Sequence, residues 1–599
     1  MKNIRFTRII LIGIILIFAA LVGLALGANL IGLGRGTSWG IFRKAFLFVG
    51  TSGLIFTFLF VISEKIEKTM PPKHVTSSNE TSHKRDYSSN TRSKTKTILS
   101  IIGILLAVEI LYVGFISVWN WVDWPVSTNY YGMLGKAFLQ GNTYLPIEPS
   151  PRLAELKNPY LSSERGGIPV ETDLSYFNQK YYMYWGPAPA AVAAIVTLLT
   201  GQVPGDEHIV FGAISVAFLF LLLIIQDLKQ RFFPTIPGWL YGLGILSIAT
   251  SFPFLWVLNS PDIYGAAIAS GQAFLLGGLF FALPALGGDH SPRWRLALAG
   301  VFWILAIGSR LVLVVPVAVL LGGIFVQWFL QARKKRNWAN MISPLISLLT
   351  PMAVGVIMLG FYNYVRFGNF LETGLRYSLN PHDLYTNIPG GFVFNPRYLL
   401  SDLLYYFVTP IRTVTKFPFL KPYWGPVDGF TRILKPVGIP DIYTIDNSVG
   451  LLFTIPTILF LGYLIVSLFK GLNVSRQNGE ATSAQCCNPD LSYNARFTLG
   501  FILLAGIAAS LPILTYFYVS CRYLLDFLPL LNIPIVAGMW QLFRVYNHYP
   551  IRRWFIIILV VAFVIYTTGV GFTIALTGAQ TRFDDCNPIL FQTLSQFFR

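Results

Sequence analysis

The stretch ETDLSYFNQKYYMYWGPAPAAVAAIV, residues 171–196, decides how the chain is read. It sets one acid, Asp173, among Tyr176, Phe177, Tyr181, Tyr182, Tyr184 and Trp185, then opens an apolar run with Gly186, Pro187 and Pro189. Whether that run crosses a membrane or only enters it fixes the side on which every later loop lies.

Outward from this stretch, apolar residues come in blocks of about 20, the length that spans a bilayer's hydrocarbon core. The chain has 599 residues, is 54% hydrophobic and 12% charged, and has a mean hydropathy of +0.58. The blocks lack the charged faces of soluble amphipathic helices, and they are continuous where barrel strands would alternate. An all-α polytopic membrane protein is therefore expected. The net charge of +18 arises from Lys and Arg beside the apolar blocks, which is the positive-inside pattern and not a nucleic-acid surface. Cys486, Cys487, Cys521 and Cys586 show neither CxxC spacing nor nearby His pairs, so neither a zinc site nor a disulfide framework is indicated.

Fourteen apolar segments fall at 8–33, 40–63, 98–121, 186–204, 208–226, 236–257, 262–286, 293–309, 311–330, 342–364, 449–469, 496–518, 523–544 and 552–577. Residues 1–64 read as a two-helix membrane preface, whose first apolar run is too long for a cleaved signal peptide and so is taken as an anchor. Residues 65–97 are basic and rich in Ser, Thr and Asn, a composition that cannot bury a core, and read as a disordered cytoplasmic linker. The body is 98–577 and the C-terminal tail 578–599.

With the linker inside, residues 122–185 form a large first exoplasmic loop. If 186–204 and 208–226 both crossed, the basic clusters at Lys229 and Arg231, Arg293 and Arg295, and Arg333 to Arg336 would all lie outside. A single crossing for 186–226, its glycines and prolines marking a re-entrant or interfacial piece, returns each cluster to the inside and gives about 13 crossings. The second long exoplasmic loop is then 366–448. The sequons at Asn79 and Asn473 fall in cytoplasmic segments, where they stay unmodified.

Several polar residues converge on the exoplasmic face. Asp123, flanked by Trp119, Trp121 and Trp124, is either a solvated helix end in an aromatic belt or a partly desolvated carboxylate able to take a proton from a hydroxyl. Asp173 is either an interfacial loop acid or part of a polar-ligand pocket with Tyr130, Tyr131, Tyr181, Tyr182, Tyr184 and Trp185. Asp206 either starts a helix or joins that pocket. Arg310 and Arg522 lie against apolar runs, where a guanidinium needs water, an acid or a phosphate. Arg522 and Asp526 are spaced i, i+4, as an internal ion pair would be, and with Arg310 and Arg366 the alternative is a grip on an anionic head group. Arg366 snorkels or, with Glu372, Arg376 and Tyr377, forms a pocket wall; Tyr523 stands beside Arg522. Residues 398–408 are too short to span and are expected to lie flat on the membrane. Adjacent Asp206, Glu207 and His208 are compatible with a divalent cation but lack the spacing of a defined site, so no metal or other cofactor is assigned.

The motifs TNYYGMLGKAFLQGNTYL (128–145), DLSYFNQKYYMYWGPAPA (173–190), YNYVRFGNFLETGLRYSL (362–379) and CRYLLDFLPLL (521–531) resemble, in this order, the bacterial membrane glycosyltransferases of the C-type (GT-C) fold. That group includes the protein O-mannosyltransferases and the lipid A aminoarabinose transferase, and the resemblance covers about residues 98–545. It implies a GT-C-like bundle in the bacterial inner membrane with a cytoplasmic N-terminus. It further implies a polyprenyl-phosphate-linked sugar as donor, an acceptor hydroxyl on glycan, lipid or protein, and an acid near the end of the first body helix as base. By position that acid is Asp123, with Asp173 competing; the mannosyltransferases carry an Asp-Glu pair there, whereas Trp124 follows Asp123. A transfer with inversion is expected, with Arg310, Arg366 or Arg522 on the departing phosphate. The rival functions are a lipid-linked sugar flippase, which would bury charges at mid-membrane, and an exoplasmic polysaccharide polymerase or ligase.

Overall fold

The structure, a computed structural model, describes residues 103–122, 124–335, 339–387, 393–470, 490–578 and 582–598, with Leu16, Ala19 and Ala20. The rest of the preface, the linker, Asp123, Cys486, Cys487 and both sequons lie outside the described residues. The chain divides into two compact units, Met1–Leu111 with Pro237–Gly242, and Tyr112–Ile236 with Leu243–Arg599. All that follows about the site concerns the second.

Among the described residues, seven helices are long and apolar enough to cross a bilayer: Asp206–Phe232, Ile263–Leu286, Leu311–Lys334, Met341–Phe367, Tyr493–Ile513, Leu528–Tyr546 and Pro550–Thr577. The pair Gly238–Ala249 and Phe252–Asn259, bent by 40°, makes an eighth if it is one span. The chain is thus a helical multi-pass membrane protein. The count of 13 crossings reaches into residues outside those described.

Ile263–Leu286 and Leu528–Tyr546 are the most deeply buried of these helices, whereas Met341–Phe367 lies at the periphery. The composition of Ile263–Leu286 shows why. Small residues let neighbours approach closely: a side chain at Gly278 would run into the Trp303 ring, and one at Gly277 into Phe302. Asp262 starts the helix by accepting from the Gly265 N–H at 2.6 Å.

Ala188–Thr200 has 13 residues, about 20 Å of helix, too short to span. It starts against another backbone: Ala188 N donates to Gly308 O at 3.0 Å, and a Cβ on Gly186 would lie 1.9 Å from that same oxygen. Gly201, at φ 73°, ends it in the left-handed conformation glycine tolerates. The chain then returns to Asp206, which starts the next span.

The two long loops join above these helix ends. Ser175–Phe177 and Lys180–Tyr182 form a hairpin in the first loop, and Ser175 bridges to Ser378 of the second. Further on, Tyr423–Trp424 pairs with Asn447–Ser448, and Thr444–Ile445 runs parallel to Tyr518–Val519. Leu384, Val393, Tyr398 and Phe517 pack into a small core there. The 398–408 segment, Leu399–Leu403 followed by a π-helical turn Leu404–Val408, is short as expected. Yet Tyr398, Tyr405 and Tyr406 are wholly buried, so one face of it is built into the protein.

Candidate active site

Where the Gly308–Arg310 turn meets the ends of Met341–Phe367 and Tyr493–Ile513, the chain lines a cavity of about 380 Å³. Its polar wall is Tyr184, Asn363, Arg366, Arg310, Tyr516 and Tyr523; Trp185, Leu359, Phe394 and Ile513 are among its apolar side chains. Tyr184 and Trp185 come from the stretch quoted first, and their rings lie 4.0 Å apart.

Three arginines stand in or beside this region, and their pairing separates them. Arg310 donates to Asp526 Oδ2 at 2.7 Å from NH2 and to Oδ1 at 3.4 Å from Nε, and Asp526 is wholly buried. Its charge is therefore compensated. The i, i+4 pair expected between Arg522 and Asp526 does not form, because Cys521–Asp526 is a 3-10 helix and three residues per turn put those positions on different faces. Arg522 instead faces Asp262, NH1 to Oδ2 at 3.9 Å, and lies over the Tyr264 ring at 4.0 Å.

Arg366 differs from both. It is 4% exposed, donates to Met183 O at 2.6 Å and to Asn363 Oδ1 at 2.7 Å, and sits 3.9 Å over the Tyr362 ring. Its Nε has no hydrogen-bond partner, and no acid pairs with it among the described residues. It is a buried cation bordering a cavity, with no carboxylate at ion-pair distance among the described residues and Glu372 acting on it only from farther away.

Asp173 adopts a left-handed backbone (φ 66°), a conformation that Asp tolerates better than most non-glycine residues. Its Oδ2 accepts from the Tyr264 hydroxyl and its Oδ1 from Asn380 Nδ2 at 2.8 Å. Tyr264 packs edge-on against Trp185, ring centroids 5.2 Å apart, so Asp173 stands one aromatic layer behind the cavity wall.

The other residues singled out from sequence are dispersed. Asp206 is wholly buried and accepts from Thr128 Oγ1 (2.6 Å), Tyr130 N and Tyr131 N (3.1 Å each), so its carboxylate serves the start of the Tyr130–Leu139 helix. Tyr130 donates to Glu171 Oε2 at 2.6 Å, while Tyr131, Tyr181 and Tyr182 are buried in the first-loop core. Glu372 Oε1 accepts from Gly374 N, and Arg376 lies 4.7 Å over Tyr385, near Tyr377. None of these lines the cavity. Tyr523 does, beneath Arg310 at 5.6 Å. Glu207 Oε1 is 2.8 Å from His208 Nδ1, and no three His, Cys, Asp or Glu side chains are grouped to hold a metal among the described residues.

Tyr264, Asn380 and Tyr516 are not among the residues that the sequence singles out, and Asn363 stands three positions before Arg366 in the motif YNYVRF. Tyr264 carried a faint signal, following Asp262 at the start of an apolar run; Asn380 and Tyr516 are brought in by loop folding alone.

Fold and site together define a helical multi-pass membrane protein with an aromatic, arginine-bearing cavity at the ends of its helices. No family profile and no curated protein matches the chain. Among solved structures it is similar to ArnT from Cupriavidus metallidurans bound to undecaprenyl phosphate, with a TM-score of 0.35, 9% identity, and coverage of 84% of this chain and 78% of that one; the apo state gives the same figures. It is also similar to the archaeal oligosaccharyltransferase AglB from Archaeoglobus fulgidus in complex with an inhibitory peptide and a dolichol-phosphate. There the TM-score is 0.39 and the identity 11%, over 79% of this chain and 55% of that one. At these scores the likeness carries no argument about this chain's activity.

Proposed function

We propose that the chain is a glycosyltransferase that moves a sugar from a polyprenyl-phosphate donor to an acceptor hydroxyl, on the exoplasmic face of a bacterial inner membrane. One observation carries this: Arg366, buried and with no acid at ion-pair distance among the described residues, borders a cavity lined by Tyr184, Trp185, Tyr516 and Tyr523. An uncompensated buried guanidinium is costly unless an anion completes it, and its planar fork matches phosphate oxygens. Aromatic walls suit the apolar faces of a sugar and the first units of a polyprenyl chain.

The chemistry balances without a further reactant. The carboxylate of Asp173, or of Asp123, takes the proton of the acceptor hydroxyl as its oxygen attacks the anomeric carbon. The bond from that carbon to the phosphate oxygen breaks, and its electron pair leaves with the lipid phosphate, held by Arg366. Attack opposite the leaving group inverts the anomeric centre.

The test incubates purified protein with a panel of radiolabelled polyprenyl-phosphate sugars and compares Asp173→Asn, Asp123→Asn and Arg366→Ala. Sugar release that depends on one acid and on Arg366 supports the proposal. Movement of intact donor across the bilayer, without release, assigns a flippase instead.

A further inference from the structure

Thr577, at the end of the Pro550–Thr577 span, donates through Oγ1 to Leu420 O at 2.9 Å. That bond fixes the hairpin of Arg412–Thr413 and Leu420–Lys421 at the end of a membrane helix. The strand register sets Arg412 directly opposite Lys421. Like charges facing each other across an antiparallel ladder, Cβ atoms about 5 Å apart, destabilise it unless something neutralises them. No acid among the described residues does so. Arg412, Lys421 and Lys416, which lies exposed in the turn between the strands, make no ion pair among the described residues. Residues 403–427 contain no acid at all.

Topology does not account for these cations either. The opposite end of the same span carries Arg552 and Arg553, so a positive-inside bias explains one end of it and not both. The hairpin also has apolar company. Phe417 stacks on Phe598 at 5.7 Å and Phe419 meets that ring edge-on at 5.6 Å. This sets the C-terminal Pro588–Phe597 helix beside the hairpin, with Ile589 80%, Phe597 50% and Phe598 51% exposed. Cations next to exposed apolar side chains, at the level where a span ends, match the headgroup layer of a bilayer: apolar groups enter the acyl boundary and cations meet phosphates.

We propose that the 412–421 hairpin, together with the Pro588–Phe597 helix, is a docking surface for the headgroups of anionic phospholipids. The proposal does not depend on the transferase activity.

Full-length protein is reconstituted in phosphatidylcholine vesicles with increasing phosphatidylglycerol, and amide exchange of the hairpin peptide is followed. Phosphatidylglycerol is expected to slow exchange in the hairpin and in residues 588–597, an effect that high salt reverses. Removing one charge by Arg412→Gln or Lys416→Gln shifts the required phosphatidylglycerol concentration roughly fivefold, and the triple variant with Lys421→Gln abolishes the response. Arg412→Lys restores it. Lys416→Gln, at an exposed turn position, keeps the test valid if the triple variant folds poorly. Equal exchange in both lipids overturns the proposal, and so does protection by a soluble acidic polysaccharide added to phosphatidylcholine vesicles alone.

Discussion

Arg310 and Asp526, 216 positions apart in the chain, close a two-point ion pair at the cavity wall, 2.7 and 3.4 Å long. The pair spends the charge of the arginine that the sequence makes most conspicuous, and under the proposed function it leaves Arg366 as the cavity arginine that would meet an anion. Asp526→Asn or Arg310→Met alone leaves a buried charge without its partner and is expected to destabilise the protein by about 3–5 kcal/mol. The double variant Arg310→Met with Asp526→Leu recovers most of that loss. Thermal unfolding in detergent of the two singles and the double checks the coupling.

If Arg366 meets the leaving phosphate, Arg366→Ala is expected to reduce transfer by about 100-fold, and because it also strips Met183 O and Asn363 Oδ1 of their donor, the rate is compared only for protein whose melt shows it folded. Arg366→Lys keeps the charge but not the fork and recovers part of the rate. Steady-state kinetics on a polyprenyl-phosphate sugar give the order wild type, Lys, Ala.

Asp173 is held by Tyr264 and Asn380, one donor on each carboxylate oxygen. Asp173→Asn is expected to cost about 100-fold or more in kcat if this acid is the base. Tyr264→Phe, which frees one oxygen and leaves the carboxylate, lowers kcat by a smaller factor. A kcat unchanged in both Asp173→Asn and Tyr264→Phe assigns the base elsewhere.

Asp402 is wholly buried in the second loop, with Oδ1 accepting from the Tyr443 hydroxyl at 2.6 Å and Oδ2 without a partner. Burial pushes its carboxyl up to about 8, and the Tyr443 bond only partly opposes this. Between the ordinary carboxylate range and that value, the folded protein keeps a proton that the unfolded chain has released. Stability from this site is full below about pH 4 and is lost as pH rises through 8. Asp402→Asn, which cannot ionise, is expected to gain in unfolding temperature over wild type as pH increases from 5 to 8, a trend that a pH series of melts checks.

Gly186 faces Gly308 so closely that a Cβ would sit 1.9 Å from the Gly308 oxygen, against main chain that cannot swing aside. Gly186→Ala is expected to destabilise by roughly 2–3 kcal/mol and to displace the Gly308–Arg310 turn. Gly212→Ala, in open space on the Asp206–Phe232 helix, is neutral or slightly stabilising. Melting temperatures of the two variants provide the comparison.

Much of the fold was legible because bilayer thickness imposes helix length, and because basic clusters constrain which segments cross. The basic clusters, together with the glycines and prolines of 186–204, pointed to a re-entrant or interfacial piece, and the stretch holds a 13-residue helix that starts against Gly308. The site was less legible. Arg310, Arg366, Tyr184, Trp185 and Tyr523 line one cavity as residue types suggested, yet which arginine keeps its charge depends on partners 216 positions away. The local spacing of Arg522 and Asp526 pointed to the wrong pair, since a 3-10 turn replaces the α-helix that such spacing presumes. Asp206 resembled a pocket acid but is consumed by the backbone of a neighbouring helix start.

The most direct measurement is equilibrium binding of a polyprenyl phosphate to purified full-length protein, comparing wild type, Arg366→Ala and the Arg310→Met, Asp526→Leu double variant. If the unpaired arginine is the anion site, the double variant binds much as wild type does and Arg366→Ala loses most of its affinity. Undiminished binding by Arg366→Ala, or loss confined to the double variant, contradicts it.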